Sequence, residues 1–143
     1  MPNIILVGVD GSDSSRRAAI VAAELAASSG ATLHVLTAVV PTRPTIAGDI
    51  SDRGNERRLT PVEEADLIAS EVAGSLQGVT PHIETSPIHG KPADSLVEEA
   101  RRLGADLIVV GNRRVQGIGR ILGSVATAVA QRAPCDVYIV KTT

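Results

Sequence analysis

Two short, almost entirely apolar runs constrain the fold of this chain more than any other feature of its sequence. One covers Ile4 to Val9 and is closed by Asp10-Gly11-Ser12, and the other covers Asp106 to Val110 and leads straight into Gly111. Short runs that are rich in β-branched residues and end at a turn are typical of strands buried on both faces of a parallel sheet. We therefore predict two central strands that lie side by side, with Asp10 and Gly111 at their exits.

Helical patterns and further strand patterns alternate with these runs. A first helix follows candidate N-caps at 12–14 and ends at Gly30, and a second begins at Thr60-Pro61. The other predicted elements are strands at 31–40, 80–88 and 137–140 and helices at 93–102 and 123–132. The alternation predicts one α/β domain over 1–143, with a doubly wound, Rossmann-like sheet of five parallel strands in the order 3-2-1-4-5 and helices on both faces. Prolines favour an edge position for 80–88, and we predict that 41–60 is a mobile surface segment.

Composition predicts a soluble, cytoplasmic protein with an aliphatic core. Of the 143 residues 43% are apolar, but Tyr138 is the only aromatic residue and Cys135 the only cysteine. One aromatic side chain and a net charge of −2 argue against nucleic-acid binding, which relies on stacking and positive charge. No apolar run reaches the roughly 20 residues that cross a bilayer. A single cysteine forms no intrachain disulfide, and no leader pattern opens the sequence.

The stretch that follows the second apolar run is rich in glycine and arginine. It reads from Gly111 to Gly123, after which Ser124 opens a helix, and it includes Arg113, Arg114 and Gly117. Glycine amides, a helix N-terminus and a serine hydroxyl together suit a phosphate group. The alternative is a surface loop whose glycines only make turns. The spacing fits neither a Walker loop nor the dinucleotide fingerprint, which would follow the first strand.

Several segments resemble the universal stress protein family over nearly the whole chain. They are Ile5-Leu-Val-Gly-Val-Asp-Gly-Ser, Leu33-His-Val, Gly90-Lys-Pro, Ala105-Asp-Leu-Ile-Val-Val-Gly-Asn-Arg, Leu122-Gly-Ser-Val and Arg132-Ala-Pro-Cys-Asp-Val. Nucleotide-binding members carry a glycine, two residues, a second glycine, nine residues and then Gly-Ser or Gly-Thr. Here Arg114 replaces the second glycine and only eight residues precede Gly123-Ser124. An arginine held in a left-handed conformation there would cost about 1 kcal/mol or more, which a guanidinium contact to phosphate could offset.

The resemblance also implies a set of contacts for an adenine nucleotide. Asp10 would accept hydrogen bonds from the ribose hydroxyls, with Gly8 and Val9 alongside, and the backbone around Val35 and Val110 would meet the adenine. The implied phosphate neighbours are Gly111, Asn112, Arg114, Gly123, Ser124 and Val125. Arg113, as a nearby cation, and Gly117, as a source of loop flexibility, complete the predicted nucleotide site. From the residues alone, Asp10 has a rival role as a cap of the first helix or as an acceptor that holds the turn at Gly11.

The resulting expectation is a homodimeric stress-response module that binds ATP or AMP, with Mg²⁺ present only as carried by ATP. The resemblance implies that the dimer forms through the last strand, whose residues are Val137, Tyr138, Ile139 and Val140. No catalytic motif is evident, and the histidines have no partners at metal-ligand spacing, so neither an enzyme nor a metal protein is expected. The alternatives are a slow ATP hydrolase and a dimeric interaction module that has lost nucleotide binding.

Overall fold

The computed structural model describes residues 3–39, 60–112 and 123–142, and at 38, 39, 88 and 89 it describes the backbone alone. The strands are β1 (Ile4–Val9), β2 (Thr32–Val39), β3 (Ile83–His89), β4 (Leu107–Gly111) and β5 (Asp136–Val140). The helices are α1 (Asp13–Ser29), α2 (Pro61–Leu76), α3 (Pro92–Leu103) and α4 (Ser124–Arg132). The predicted mobile segment at 41–60 lies outside the described residues except for its last position.

All strand pairs are parallel, and the sheet order is β3-β2-β1-β4-β5. The predicted order and the adjacency of the two apolar runs are therefore confirmed. From β1 the chain moves outward to β2 and β3, and it then crosses back to β4 and β5 on the other side. Strand order thus reverses between β1 and β4.

Helices cover both faces of the sheet and enclose two aliphatic clusters. The first cluster joins α1 and α2 to the face that carries Val7 and Val35, and the second joins α3 and α4 to the face that carries Leu6 and Ile108. In α1 the buried side chains of the first cluster are all alanines, namely Ala18, Ala19, Ala22, Ala23 and Ala26. These short side chains let the helix axis approach the sheet closely, so branched aliphatic residues from the strands fill the layer without aromatic rings.

Strand β3 begins at Ile83, three residues later than the sequence predicts. Val79 and Thr80 instead donate their backbone N–H groups to the Leu76 carbonyl, at 2.9 and 3.1 Å, and close the end of α2. Pro81 has no N–H to offer a strand ladder. The prediction for 80–88 was wrong at its start, whereas the edge position of the strand is confirmed. The other strand boundaries differ from prediction by at most one residue.

At the amino edge of the sheet, one carboxylate joins the beginnings of β1 and β4. Asp106 Oδ2 accepts the N–H groups of Asn3 and Ile4, at 2.7 and 3.0 Å, which tie the beginning of β1 to the beginning of β4. These two hydrogen bonds lower the pKa of the Asp106 carboxyl below its usual range. The opposite, carboxyl edge is where the sequence-predicted site residues converge.

Candidate functional site

The carboxyl edge between β1 and β4 is the place where this topology favours a ligand. Open α/β sheets bind ligands in the crevice beyond the strand ends at the point where strand order reverses. Val7 pairs with Val109 in parallel register. Continuing that register by three residues brings the two exits, Asp10 and Asn112, next to each other. The sheet therefore brings together the two runs that the sequence placed at its centre.

Asp10 closes the turn between β1 and α1. Its Oδ1 accepts a hydrogen bond from the Ser12 N–H at 2.9 Å, and its own N–H donates to Ser15 Oγ at 3.2 Å. Gly11 between them has φ 87°, which only glycine adopts without strain. The sequence left two structural roles open for Asp10, a cap of the first helix and an acceptor that holds the turn at Gly11. The structure shows the second role. The ribose contact implied by the family resemblance stays a prediction.

The start of α1 is capped by its own sequence. Ser12 Oγ accepts the Ser15 N–H at 3.2 Å, and Ser15 Oγ donates to the Ser12 carbonyl at 3.0 Å. Asp13 adds a carboxylate to the first turn. Negative groups at a helix N-terminus compensate its partial positive charge. This helix start therefore has a side-chain cap and an acidic residue of its own, which makes it the less favourable of the two for a phosphate.

The start of α4 has a different character. Gly123 is the N-cap, with φ −62° and ψ 156°, and it provides no side-chain hydrogen bond; the first turn of this described helix holds no acidic residue. Ser124 is exposed and Val125 is half-buried. Because α4 ends at Arg132 and β5 starts at Asp136 on the amino edge, the crossover directs the helix start toward the carboxyl edge. Such a start presents N–H groups and partial positive charge to an anion.

The exit of β4 is packed against α1 and the C-terminal residues. A Cβ atom on Gly111 would lie 2.8 Å from Ser14 Oγ, so no larger residue fits without movement. Asn112 Oδ1 accepts both the N–H and the hydroxyl of Thr142, at 2.8 and 3.0 Å, and Ser14 Oγ in turn hydrogen-bonds Thr142 Oγ1. Gly111 and Asn112 thus have structural roles beside any phosphate contact.

Ser14 and Thr142 are site-adjacent residues that sequence reasoning missed. Both are 8% exposed and lie on elements distant in the chain. No motif or periodicity marks Thr142. The only available signal was the sheet order, which brings the carboxyl end of β5 beside that of β4.

The remaining predicted residues of β1 and β4 line the sheet at this end. Gly8 packs under α3, since a Cβ atom there would be 3.1 Å from Leu96 Cδ1. Val9 and Val110 are each 4% exposed, so their side chains belong to the core and leave backbone groups for a ligand. Gly8 thus permits close helix packing, which is a role independent of any nucleotide.

Val35 lies one position further inside the sheet than Gly8 and Val110, because Val7 pairs with both Val35 and Val109. Val9 pairs with Thr37, so the β2 residues level with or beyond the last residue of β1 are Thr37 to Val39. Val35 lies two positions inside the sheet, and its side chain is fully buried. Thr37 is also buried, and its hydroxyl has no hydrogen-bond partner within the described residues. The adenine contact implied for the backbone around Val35 stays a prediction.

Three residues of the predicted nucleotide site, Arg113, Arg114 and Gly117, lie outside the described residues. Within the described ranges, no group of three or more His, Cys, Asp or Glu residues is placed to hold a metal ion. In the same ranges no helix is long and apolar enough to span a membrane.

Comparison with known proteins identifies the family. The model of the universal stress protein family matches residues 1–141. This chain belongs to the universal stress protein family. Universal stress protein Rv1636 of Mycobacterium tuberculosis strain H37Rv is 40% identical over 97% of this chain and 96% of its own length. A Thermus aquaticus universal stress protein, encoded in the 3′ region of QAH/OAS sulfhydrylase, is 36% identical over 96% and 97%.

Solved structures agree with this assignment. A universal stress protein solved in complex with cAMP superposes with a TM-score of 0.77, at 38% identity, and covers 99% of both chains. This superposition and the observed sheet of five parallel strands in the order 3-2-1-4-5 confirm the Rossmann-like fold predicted from sequence.

Proposed function

We propose that this universal stress protein binds an adenine nucleotide at the switch point, with phosphate at the start of α4 and ribose at Asp10. The observation that carries the proposal is the contrast between two helix starts. α1 is capped by Ser12 and carries Asp13 in its first turn, whereas α4 begins at Gly123 with neither feature. A phosphate is stabilised by the second and repelled by the first. The relative bound to cAMP, at 38% identity, supports the same ligand class.

Within that class we propose ATP or AMP as ligand, with Mg²⁺ entering only as carried by ATP, and cAMP as the competitor to test. The protein is proposed to act as a binding module and not as an enzyme, in the cytoplasm and in a stress response. Slow ATP hydrolysis is the alternative, and it requires ADP formation that is lost in Ser124→Ala. Fractionation of cells against cytoplasmic marker proteins checks the location.

The experiment that tests the proposal is calorimetric titration of nucleotide-free protein with ATP, AMP and cAMP in magnesium buffer. The test variant is Gly123→Ala/Ser124→Ala, and the matched control is Gly74→Ala/Ser75→Ala, which changes another Gly-Ser pair in α2. Saturable binding lost in the first variant and kept in the second supports the α4 start as the phosphate site. No heat with any nucleotide, from folded wild-type protein, favours an interaction module that has lost nucleotide binding.

We also propose a homodimer formed through β5. This strand lies at a sheet edge, and Tyr138 on it is 45% exposed, with Val137 and Ile139 partly buried. The other edge strand, β3, contains Pro87, which cannot donate to a ladder. Sedimentation equilibrium of wild type, Tyr138→Glu and, as a control on the β3 edge, Thr85→Glu tests this. A monomer for Tyr138→Glu alone supports β5, and monomeric wild type contradicts the proposal.

A further inference from the structure

We propose that Thr37 is a specificity-determining residue of the nucleotide site, whose hydroxyl forms a hydrogen bond with the base of the nucleotide. The inference rests on the nucleotide-binding function proposed above and adds a side chain that no sequence motif marks. Within the described residues, Thr37 Oγ1 is buried and has no hydrogen-bond partner. A buried hydroxyl without a partner destabilises the folded chain, and native proteins keep few of them. A ligand that supplies the missing partner accounts for its presence here.

Thr37 lies at the carboxyl edge of the sheet, level with the end of β1. It pairs with Val9, the last residue of β1, and on its other side with Pro87 of β3. β1 ends at this level, whereas β2 continues to Val39. Because side chains alternate along a strand, Thr37 lies on the same face as Val35, which α1 and α2 cover. The residue is therefore next to the crevice at the end of β1.

Other buried hydroxyls of the described residues show that this position is unusual. Near the same edge, Ser14 Oγ and Thr142 Oγ1 form a hydrogen bond with each other. Among the described residues, the other buried side-chain oxygen without a partner belongs to Thr80, which is 1% exposed, as Thr37 is. Thr80 follows α2 and precedes the start of β3, at the amino edge. Of these two unpaired hydroxyls, only that of Thr37 adjoins the crevice.

The proposed arrangement of the ligand puts its base beside β2. The sheet order is β2-β1-β4, with the ribose proposed at Asp10 after β1 and the phosphate at the helix start after β4. The ribose joins the phosphate to the base, so a base on the side of the ribose away from the phosphate comes next to the end of β2. Adenine carries an amino donor and ring-nitrogen acceptors, and a hydroxyl can donate or accept. The base can therefore supply the partner that Thr37 Oγ1 needs.

The Thr37 hydroxyl can turn toward this base at little cost. Because the side chain is only 1% exposed, the contact requires such a turn. Side chains in strands lean along the strand direction, which for β2 is toward the carboxyl edge. Rotation about the Cα–Cβ bond moves Oγ1 between staggered positions. It breaks no hydrogen bond within the described residues, since Oγ1 has none there.

The test compares Thr37→Val, which keeps the shape and removes the hydroxyl, with Thr37→Ser, which keeps the hydroxyl. Thr80→Val is the matched control, because it removes an equally buried, unpaired hydroxyl at the other edge of the sheet. Calorimetric titration with AMP is expected to show about five- to thirtyfold weaker binding for Thr37→Val, the range for a buried polar group that loses its partner. Binding within about twofold of wild type is expected for Thr80→Val, and within about threefold for Thr37→Ser.

The stability of the ligand-free variants separates a ligand contact from a structural role. Thr37→Val and Thr80→Val should each raise the melting temperature by about 2–6 °C, because each removes a buried hydroxyl that has no partner. Thr37→Val is thus expected to gain stability while it loses AMP affinity, a combination that impaired folding does not produce. A lower melting temperature for Thr37→Val would mean that the hydroxyl already stabilises the free protein, and it would overturn the inference.

A crystal structure of the wild-type protein with AMP locates the contact. Thr37 Oγ1 is expected within about 3.2 Å of a nitrogen atom of the base. Unchanged AMP affinity in Thr37→Val, equal losses in Thr37→Val and Thr80→Val, or a base with no atom near Thr37 would overturn the inference and leave the proposed function standing. Wild-type protein that does not bind AMP contradicts the proposed function itself, and the inference with it.

Discussion

The starts of α1 and α4 occupy comparable places in the fold, yet their chemistry is opposite. Both helices follow the two strands that flank the switch point. At α1, Ser12 caps the helix, Asp13 lies in the first turn, and the Asp10 carboxylate accepts the Ser12 N–H at 2.9 Å. At α4, Gly123 caps without a side-chain bond and the first turn carries no acid. Among the described residues, the start of α1 has its own side-chain cap, and the start of α4 is the one at which we propose the phosphate.

The difference between the two helix starts predicts on which side of the crevice a phosphate binds. A dinucleotide-binding fold places its pyrophosphate at the helix after the first strand. Here that position has its own side-chain cap and an acidic residue in the first turn, so we propose the helix after the fourth strand as the phosphate end. In the proposed function, this difference in capping divides one crevice into a ribose side and a phosphate side.

The largest expected effect comes from giving α4 the acidic start that α1 has. Ser124→Asp places a carboxylate in the first turn, where it repels a phosphate and interacts favourably with the helix dipole. We expect AMP affinity to fall at least about thirtyfold, through the lost hydrogen bond and the added like charge. The free energy of unfolding should stay level or rise by about 0.3–1 kcal/mol. Calorimetry and urea denaturation measure the two quantities.

Ser124→Asn is the neutral control for this change, because asparagine has about the same size as aspartate but no charge. It should lose less affinity than Ser124→Asp. Equal affinity for wild type and Ser124→Asp would mean that the start of α4 does not hold the phosphate, and the contrast between the two helices would lose its functional meaning.

The next largest effect is expected from a substitution that pushes the exit of β4 away from the start of α1. Gly111→Ala puts a Cβ atom where Ser14 Oγ is 2.8 Å away and the Ser14 carbonyl 3.3 Å away. We expect a loss of about 1–3 kcal/mol in the free energy of unfolding, because the α1 backbone must shift. Gly74→Ala, in open space within α2, should instead stabilise by about 0.5–1 kcal/mol. Denaturant titrations that gave both variants the same sign would contradict the close packing at Gly111.

Asp10 tests the ribose side of the crevice. Asp10→Asn keeps an oxygen that can accept the Ser12 N–H but removes the charge, so the turn should change by only about 0.5 kcal/mol or less. We expect about tenfold weaker AMP binding, because a ribose hydroxyl bonds a carboxylate more strongly than an amide. Asp10→Ala is the companion variant, and it should also lower the stability of the turn. Unchanged AMP affinity in both would leave Asp10 with its structural role alone.

The fold could be predicted from the sequence because the patterns that indicate it each lie within one helix or strand. Continuous apolar runs marked β1 and β4, glycines at the ends of α1 and α3 have the left-handed φ of 75° and 66° that ends a helix, and Pro87 lies on an edge strand as expected. Each of these features is read within one element, and together they leave few topologies.

The site was less accessible because its contacts are long-range. Thr142 and Ser14 are 128 positions apart and meet only because β5 ends beside β4. Position along β2 is a related limit, because the residue pattern of this strand does not indicate how far each residue lies from the carboxyl edge. Register, which places Thr37 level with Val9, supplies that information.

The smallest expected effect is the removal of the α1 cap, and it tests whether the closed helix start serves stability alone. Ser12→Ala deletes the acceptor for the Ser15 N–H, which should cost about 1 kcal/mol in the free energy of unfolding. Nucleotide affinity should stay within about twofold, because we propose the phosphate at the other helix. Ser12→Gly should lower the free energy of unfolding by only about a few tenths of a kcal/mol. Tighter nucleotide binding by Ser12→Ala would show that the cap had been excluding a phosphate that α1 can hold, and the division of the crevice would then be a competition between two helix starts.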